Sequence, residues 1–265
     1  WIGERVSVID MESVLRNIVL EQDEVSWGPN ATFRFPEKGG TGEIYTRIAS
    51  RFMDHIRLNQ RVASIDEQAG RLTTESGLEI SYEHLLNTGP LDLLVRDIIL
   101  DAPDTLKDAS ENLGHNSVSV AGVGVDGMRE DDTCWMYFPE DNCPFYRVTN
   151  FHNYSPNNAA IPGKQRAFMA ETSISEHKVE DRSSILDRTV QGLANTSLME
   201  EKDRVVSRWE MTVDYGYPVP TLGRDKGLAL IQPWLEERSV YSRGRFGGWR
   251  YEVANMDHSV MQGVE

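Results

Sequence analysis

Apolar positions in the first hundred residues fall mostly at helical spacing. In MESVLRNIVLEQD (11–23), Val14, Ile18 and Val19 recur with charges between them, which predicts an amphipathic helix. In TGEIYTRIASRFMDH (41–55), Ile44, Ile48 and Phe52 stand at i, i+4 and i+8, with Thr41 as the expected cap. The short alternating runs RVASID, RLTTE and HLLNT, punctuated by Gly70 and Gly77, predict a small β-meander, and PLDLLVRDIIL (90–100) predicts an apolar helix. From about residue 116 the period shortens. NSVSVAGVGV, TCWMYFP, FYRVTNF, RAFMAETSI and RVVSRWEMTV read as strands of an antiparallel sheet, interrupted by a helix over 183–196. From about 222 the chain returns to helix, then a short strand VYSRG, a glycine-rich turn and a terminal helix from about Asp257. The expected class is α+β, with a mixed α/β part and an antiparallel sheet.

Composition narrows the function classes. The 265 residues are 39% hydrophobic and 26% charged, enough apolar material for a real core. The net charge of -15 argues against a general nucleic-acid binder, which needs a broad basic surface. No apolar run reaches the roughly 18 to 20 residues of a membrane span. Two cysteines, Cys134 and Cys143, in a chain of this length suggest a reducing, cytoplasmic compartment.

Against this acidic background SRGRFGGWRYEVANMDHSVMQG (242–263) stands out. It gathers Arg243, Arg245 and Arg250 with Gly244, Gly247 and Gly248 just before a helix, a pattern suited to holding a small anion. EKGGTGEIYTRIA (37–49) also sets glycines before a helix, and serves either an anion or a tight turn. GVGVDG (122–127) has the letters of a dinucleotide fingerprint but runs from a strand end into the acidic MREDD, so it reads as a strand end and turn. Tyr137 and Arg147 belong to neighbouring predicted strands and either face one anion site or form a structural aromatic and salt-bridge face. DYGYPVPT (214–221) reads as a stiff aromatic loop. His258 has no second histidine at ligand spacing, so no metal site is expected.

The blocks WGPNATFRFPEKGGTG, YFPEDNCPFYR, NYSP, DYGYPVPTL and SRGRFGGWRYEVANMDHSVMQG together resemble the eukaryotic type of UDP-galactopyranose mutase, in order along essentially the whole chain. The resemblance implies a GR2-like FAD-binding fold and an isomerase that interconverts UDP-galactopyranose and UDP-galactofuranose. It implies reduced FAD, whose N5 attacks the galactose anomeric carbon and expels UDP, with NADPH as electron donor. By motif, Arg5 and Arg147 are expected to grip the diphosphate, with Tyr137, Tyr217 and Tyr251 around diphosphate and galactose. Asn30 and Asn255 are expected near the sugar. Arg245 is expected beside the flavin, Val62 at the adenine, and Met256 and Ser259 along the flavin.

The pattern also departs from the family. The sequence shows no G-x-G-x-x-G strand–turn–helix at its start, and Met256 stands where the family pattern suggests glutamine. The expectation is therefore the C-terminal half of such an enzyme, inactive and a poor FAD binder alone, with a homo-oligomer expected of the full-length enzyme. Residues 1–27 are assigned to the end of a helical domain, 28–95 with 226–265 to a discontinuous FAD-binding domain, and 96–225 to the sheet domain. The competing readings are a related FAD-dependent amine-oxidase-like oxidoreductase and a non-catalytic module.

Overall fold

The computed structural model describes residues 10–21, 33–253 and 255–264. Helix α1 (Met11–Leu20) is capped by Asp10, whose side chain accepts from the Glu12 amide. Helix α2 (Gly40–Ala49) starts one residue earlier than its pattern suggests. Its cap is Gly39, at φ 79°, and not Thr41, which lies inside the helix. A left-handed cap position suits glycine, so backbone conformation decides the start here.

Strands β1 (Val62–Asp66), β2 (Arg71–Thr74) and β3 (Glu79–Ser81) form an antiparallel meander. The run HLLNT does not join it. It forms β4 (Leu85–Asn87), which pairs in parallel with a distant strand near the C-terminus. Next come a helical turn, α3 (Leu91–Leu93), continued by π-helix through Ile98, and α4 (Asp104–Ser110). The helix α4 lies in a stretch without a strong sequence pattern; it carries one apolar stripe, Leu106 and Ala109.

Strand β5 (His115–Asp126) opens the main sheet, followed by β6 (Trp135–Tyr137) and β7 (Arg147–Asn150). The short helix α5 (Phe151–Tyr154) leads to β8 (Gln165–Ile174), α6 (Ile185–Asn195) and β9 (Arg204–Pro218). These strands form an antiparallel sheet in the order β6-β7-β8-β5-β9. GVGVDG lies within and just after β5, where Gly122 pairs with Met169 and Gly124 with Ala167. DYGYP is not loop; it is the last part of β9. The chain closes with α7 (Arg224–Glu236), β10 (Val240–Ser242), α8 (Gly244–Gly247) and α9 (Met256–Gln262). Strand β10 is the parallel partner of β4, with Val240 opposite Leu85 and Ser242 opposite Asn87.

Two hydrophobic cores organise these elements. One joins Ile65, Leu91, Val95, Ile99, Leu106, Leu113, Leu228, Ile231, Leu235, Val240 and Trp249. It runs on through Leu113, because the helix at 104–110 packs against α7. The other core lies between one face of the main sheet and α6, and contains Val123, Val125, Val148, Phe168, Ala170 and Leu193. No helix among the described residues is long and apolar enough to cross a membrane.

The α4–α7 contact depends on Gly227. A Cβ there would stand 2.8 Å from the Ala109 carbonyl oxygen. Helix propensity alone favours alanine over glycine by about 1 kcal/mol. Overpacking against fixed backbone costs more, about 1–3 kcal/mol. Gly227→Ala is therefore expected to lower the urea unfolding midpoint; a raised midpoint would contradict the close packing.

Candidate active-site face

Alternation along the strands puts Val148, Ala170, Phe168 and Val123 on the face covered by α6. The residues between them point to the opposite face. There Tyr137 lies opposite Arg147, and Arg147 opposite Glu171, across three adjacent strands. Neighbouring strands thus deliver a tyrosine, an arginine and a carboxylate side by side.

Arg147 is bound to Glu171 along one edge of its guanidinium. Nε and Nη2 donate to Oε1 at 2.8 and 2.6 Å, and Nη2 also reaches Oε2 at 2.7 Å. The Tyr146 hydroxyl donates to the same carboxylate at 2.7 Å. Nη2 is 3.2 Å from the Tyr217 hydroxyl oxygen. Nη1 takes no part in the Glu171 bonds, and 27% of the Arg147 side chain stays accessible while Glu171 is 7% accessible. Burial works against the charged arginine, but the Glu171 carboxylate outweighs it and holds Arg147 above its ordinary range. Burial, then the Glu171 charge, pushes Tyr146 well up, so its phenol stays protonated and keeps donating.

The C-terminal segment meets this cluster through Tyr217. The Arg245 guanidinium lies 4.8 Å from the Tyr217 ring centre, and the Tyr251 ring stands edge-on to it at 5.8 Å. Tyr217 is fixed on its other side, where its amide donates to Asn116 Oδ1 at 2.8 Å. Tyr137 and Tyr251 are 57% and 54% exposed, and the Tyr137 side chain hydrogen-bonds Arg147. Helix α8 carries Arg245 and packs against α9, which carries Met256 and Ser259; Asn255 occupies the α9 N-cap. The Gly244 amide donates to Gln262 Oε1 of α9 at 2.8 Å.

The structure thus brings together Tyr137, Arg147, Tyr217, Arg245 and Tyr251, with Asn255, Met256 and Ser259 on the adjoining helix. Val62 stands apart in the meander, where it packs against the first core. Arg5 and Asn30 lie outside the described residues. Sequence reasoning missed Glu171 and Tyr146. Glu171 could have been noticed as a lone acid inside an apolar strand, RAFMAETSI. Of the two alternatives for Arg147, the structural one is observed: it forms an ion pair with Glu171, and 27% of its side chain stays accessible.

The parallel pair β4–β10 supplies a second geometric feature. Beyond its carboxyl ends lie Gly89 and Gly244, and in open α/β sheets ligands bind outside such ends. Asn87 Nδ2 donates to Ser242 Oγ at 2.7 Å and to the Gly89 carbonyl at 3.0 Å, fixing both loops. A separate open groove of about 440 Å³ lies around Gly122, Gly124, Met169 and Trp209. It is mostly apolar and contains none of the clustered tyrosines, so the charged cluster is the better candidate for chemistry.

Comparison with known families agrees with this reading of the fold. Residues 8–263 match the model of the flavin-containing amine oxidoreductases. The chain belongs to that family. Within it, a crystal structure of reduced UDP-galactopyranose mutase superposes with a TM-score of 0.92 at 40% sequence identity, covering 100% of this chain and 57% of that one. The chain thus spans 57% of the length of the mutase it matches. More distant structures share the fold alone. A putative protoporphyrinogen oxidase from Exiguobacterium sp. 255-15 matches at 14% identity and TM-score 0.59, covering 83% of this chain and 50% of that one. A CLA-producing fatty acid isomerase from P. acnes matches at 16% and 0.57, covering 84% and 52%.

Removing the Glu171 carboxylate leaves Arg147 and Tyr146 without their partner. Glu171→Ala is expected to destabilise the protein by about 3 kcal/mol, the typical cost of breaking a largely buried pair from one side. Urea unfolding checks this, and a loss under about 0.5 kcal/mol, the range of ordinary surface substitutions, would contradict the role given to the pair.

Proposed function

We propose that this chain carries the diphosphate- and sugar-facing part of a flavin-dependent mutase that interconverts UDP-galactopyranose and UDP-galactofuranose. The carrying observation is the Arg147 end presented among Tyr137, Tyr217 and Tyr251, with Arg245 stacked behind Tyr217. The 40% identity to a reduced UDP-galactopyranose mutase supports the substrate class.

Residues fit for FAD are present in part. The paired loops after β4 and β10, fixed by Asn87, form a backbone-rich seat of the kind a flavin nucleotide takes, and Arg245 rises directly from it. Arg245, Met256 and Ser259 would lie along the flavin, and Val62 at its adenine end. When bound, reduced FAD supplies a nucleophilic nitrogen for the galactose anomeric carbon, with no net redox change. NADPH is the proposed reductant. The proposed setting is the cytoplasm, and the intact enzyme is proposed to assemble with copies of itself.

The protein's own residues then act on charge and position. As the bond from the sugar to UDP breaks, negative charge grows on the diphosphate. Arg147, joined by Arg5, stabilises that charge and retains UDP for the return step. Glu171 holds the guanidinium on one edge, so the Nη1 end is already oriented before substrate arrives. Tyr137, Tyr217 and Tyr251 supply hydroxyl tips on rigid rings. Asn30 and Asn255 contact the sugar. In this scheme residues 28–95 and 226–265 belong to the FAD-binding domain, 96–225 to the sheet above the substrate, and 1–27 to a helical domain.

In the intact protein Arg147→Ala is expected to lower UDP-galactose turnover by about 10²–10³-fold, the usual loss of a charge-stabilising donor. Its flavin absorbance should match the unaltered protein. Undiminished turnover would overturn the role of Arg147.

A further inference from the structure

Tyr251 stands on a short run that is fastened at both ends by residues outside the ligand-facing set. On one side Trp249 is fully buried at φ 52°, and its Nε1–H donates to the Gly114 carbonyl at 3.2 Å. A left-handed backbone is costly for so large a side chain and persists only where packing enforces it. On the other side Glu252 accepts a two-pronged contact from Arg224, Nη1 to Oε2 at 2.9 Å and Nη2 to Oε1 at 3.0 Å. Arg250 and Tyr251 project outward between the two fastenings.

The Arg224 arrangement is not one that α7 itself would favour. Arg224 is 3% exposed and occupies the first position of the helix, where the dipole disfavours a cation. Burial also opposes its charge, yet the carboxylates of Glu252 and Asp225 hold it above its ordinary range. A buried arginine with both penalties makes sense where it fixes something else in place. What it fixes is the backbone next to Tyr251, against the sheet residue Tyr217.

We infer that Arg224 is a positioning residue: its fork on Glu252 sets Tyr251 against Tyr217 and so sets the protein's affinity for the diphosphate ligand. The ligand's identity rests on the function proposed above; the latch itself does not.

The test uses the intact, flavin-loaded protein with Arg224→Lys and, independently, Glu252→Gln. Lysine keeps the charge but loses the fork, and glutamine keeps the shape but loses the charge, so a folding failure in one leaves the other to decide. Three readouts are taken: tryptic cleavage after Arg250 relative to cleavage after the exposed Lys202, UDP affinity, and kcat against KM. Cleavage after Arg250 is expected to rise, and UDP affinity to fall by about tenfold, with KM moving more than kcat and the flavin spectrum unchanged. Adding Tyr251→Phe to either variant is expected to cost little more, because the hydroxyl is already misplaced. Unchanged cleavage and affinity, or losses that multiply fully with Tyr251→Phe, would overturn the inference. If the unaltered protein binds no UDP, the proposed function fails, while the cleavage ratio still decides whether the latch exists.

Discussion

The site depends on one insertion, that of Tyr215 from the end of β9 into the first hydrophobic core. Its hydroxyl donates to Asp92 at 2.9 Å, its ring stacks on His115 at 4.0 Å, and Phe246 and Trp249 meet it edge-on. Burial, then the Asp92 charge, pushes its phenol up, so it stays a donor. Tyr215 thereby ties the sheet to the glycine-rich C-terminal segment. Two residues further along the same strand, Tyr217 meets Arg147 on one side and Arg245 with Tyr251 on the other. Without that junction the two halves of the cluster would belong to separately packed layers.

Under the proposed function, charge within the cluster is arranged for a ligand rather than balanced for its own sake. A carboxylate so close to the principal cation reduces the net attraction for an anion. It also removes the entropy of ordering a long side chain when the ligand binds. The Arg147–Glu171 pair therefore exchanges raw attraction for a fixed orientation, and Tyr146 completes the carboxylate's hydrogen bonding. The second cation, Arg245, stands over the Tyr217 ring at 4.8 Å.

Much of this was legible in the sequence. Period-2 alternation marked the strand that carries Arg147 and the first ten residues of the one that carries Tyr217, and the resemblance in YFPEDNCPFYR, DYGYPVPTL and SRGRFGGWRYEVANMDHSVMQG singled out the clustered residues. The misses have physical causes. HLLNT looks like meander because a three-residue strand does not encode its partner, and a parallel partner about 155 residues away lies beyond local pattern. DYGYP looks like loop because Gly and Pro mark turns, yet Gly216 lies under Val118, where a Cβ would stand 2.4 Å from Cγ2, and so serves a close approach inside the sheet. The Thr41 cap failed because the Gly39 backbone, and no side chain, starts the helix. Glu171 escaped because a lone acid in an apolar strand marks an anomaly but does not name its partner, which strand pairing sets as Arg147.

The central claim is that this face grips a diphosphate, and the most direct measurement compares UDP with uridine by calorimetric titration of the intact, flavin-loaded protein. If Arg147 and its tyrosines hold phosphate oxygens, UDP binds and uridine binds at least about 100-fold more weakly, the equivalent of two charge-assisted contacts. Equal affinity for the two, or no binding of UDP, would contradict the account.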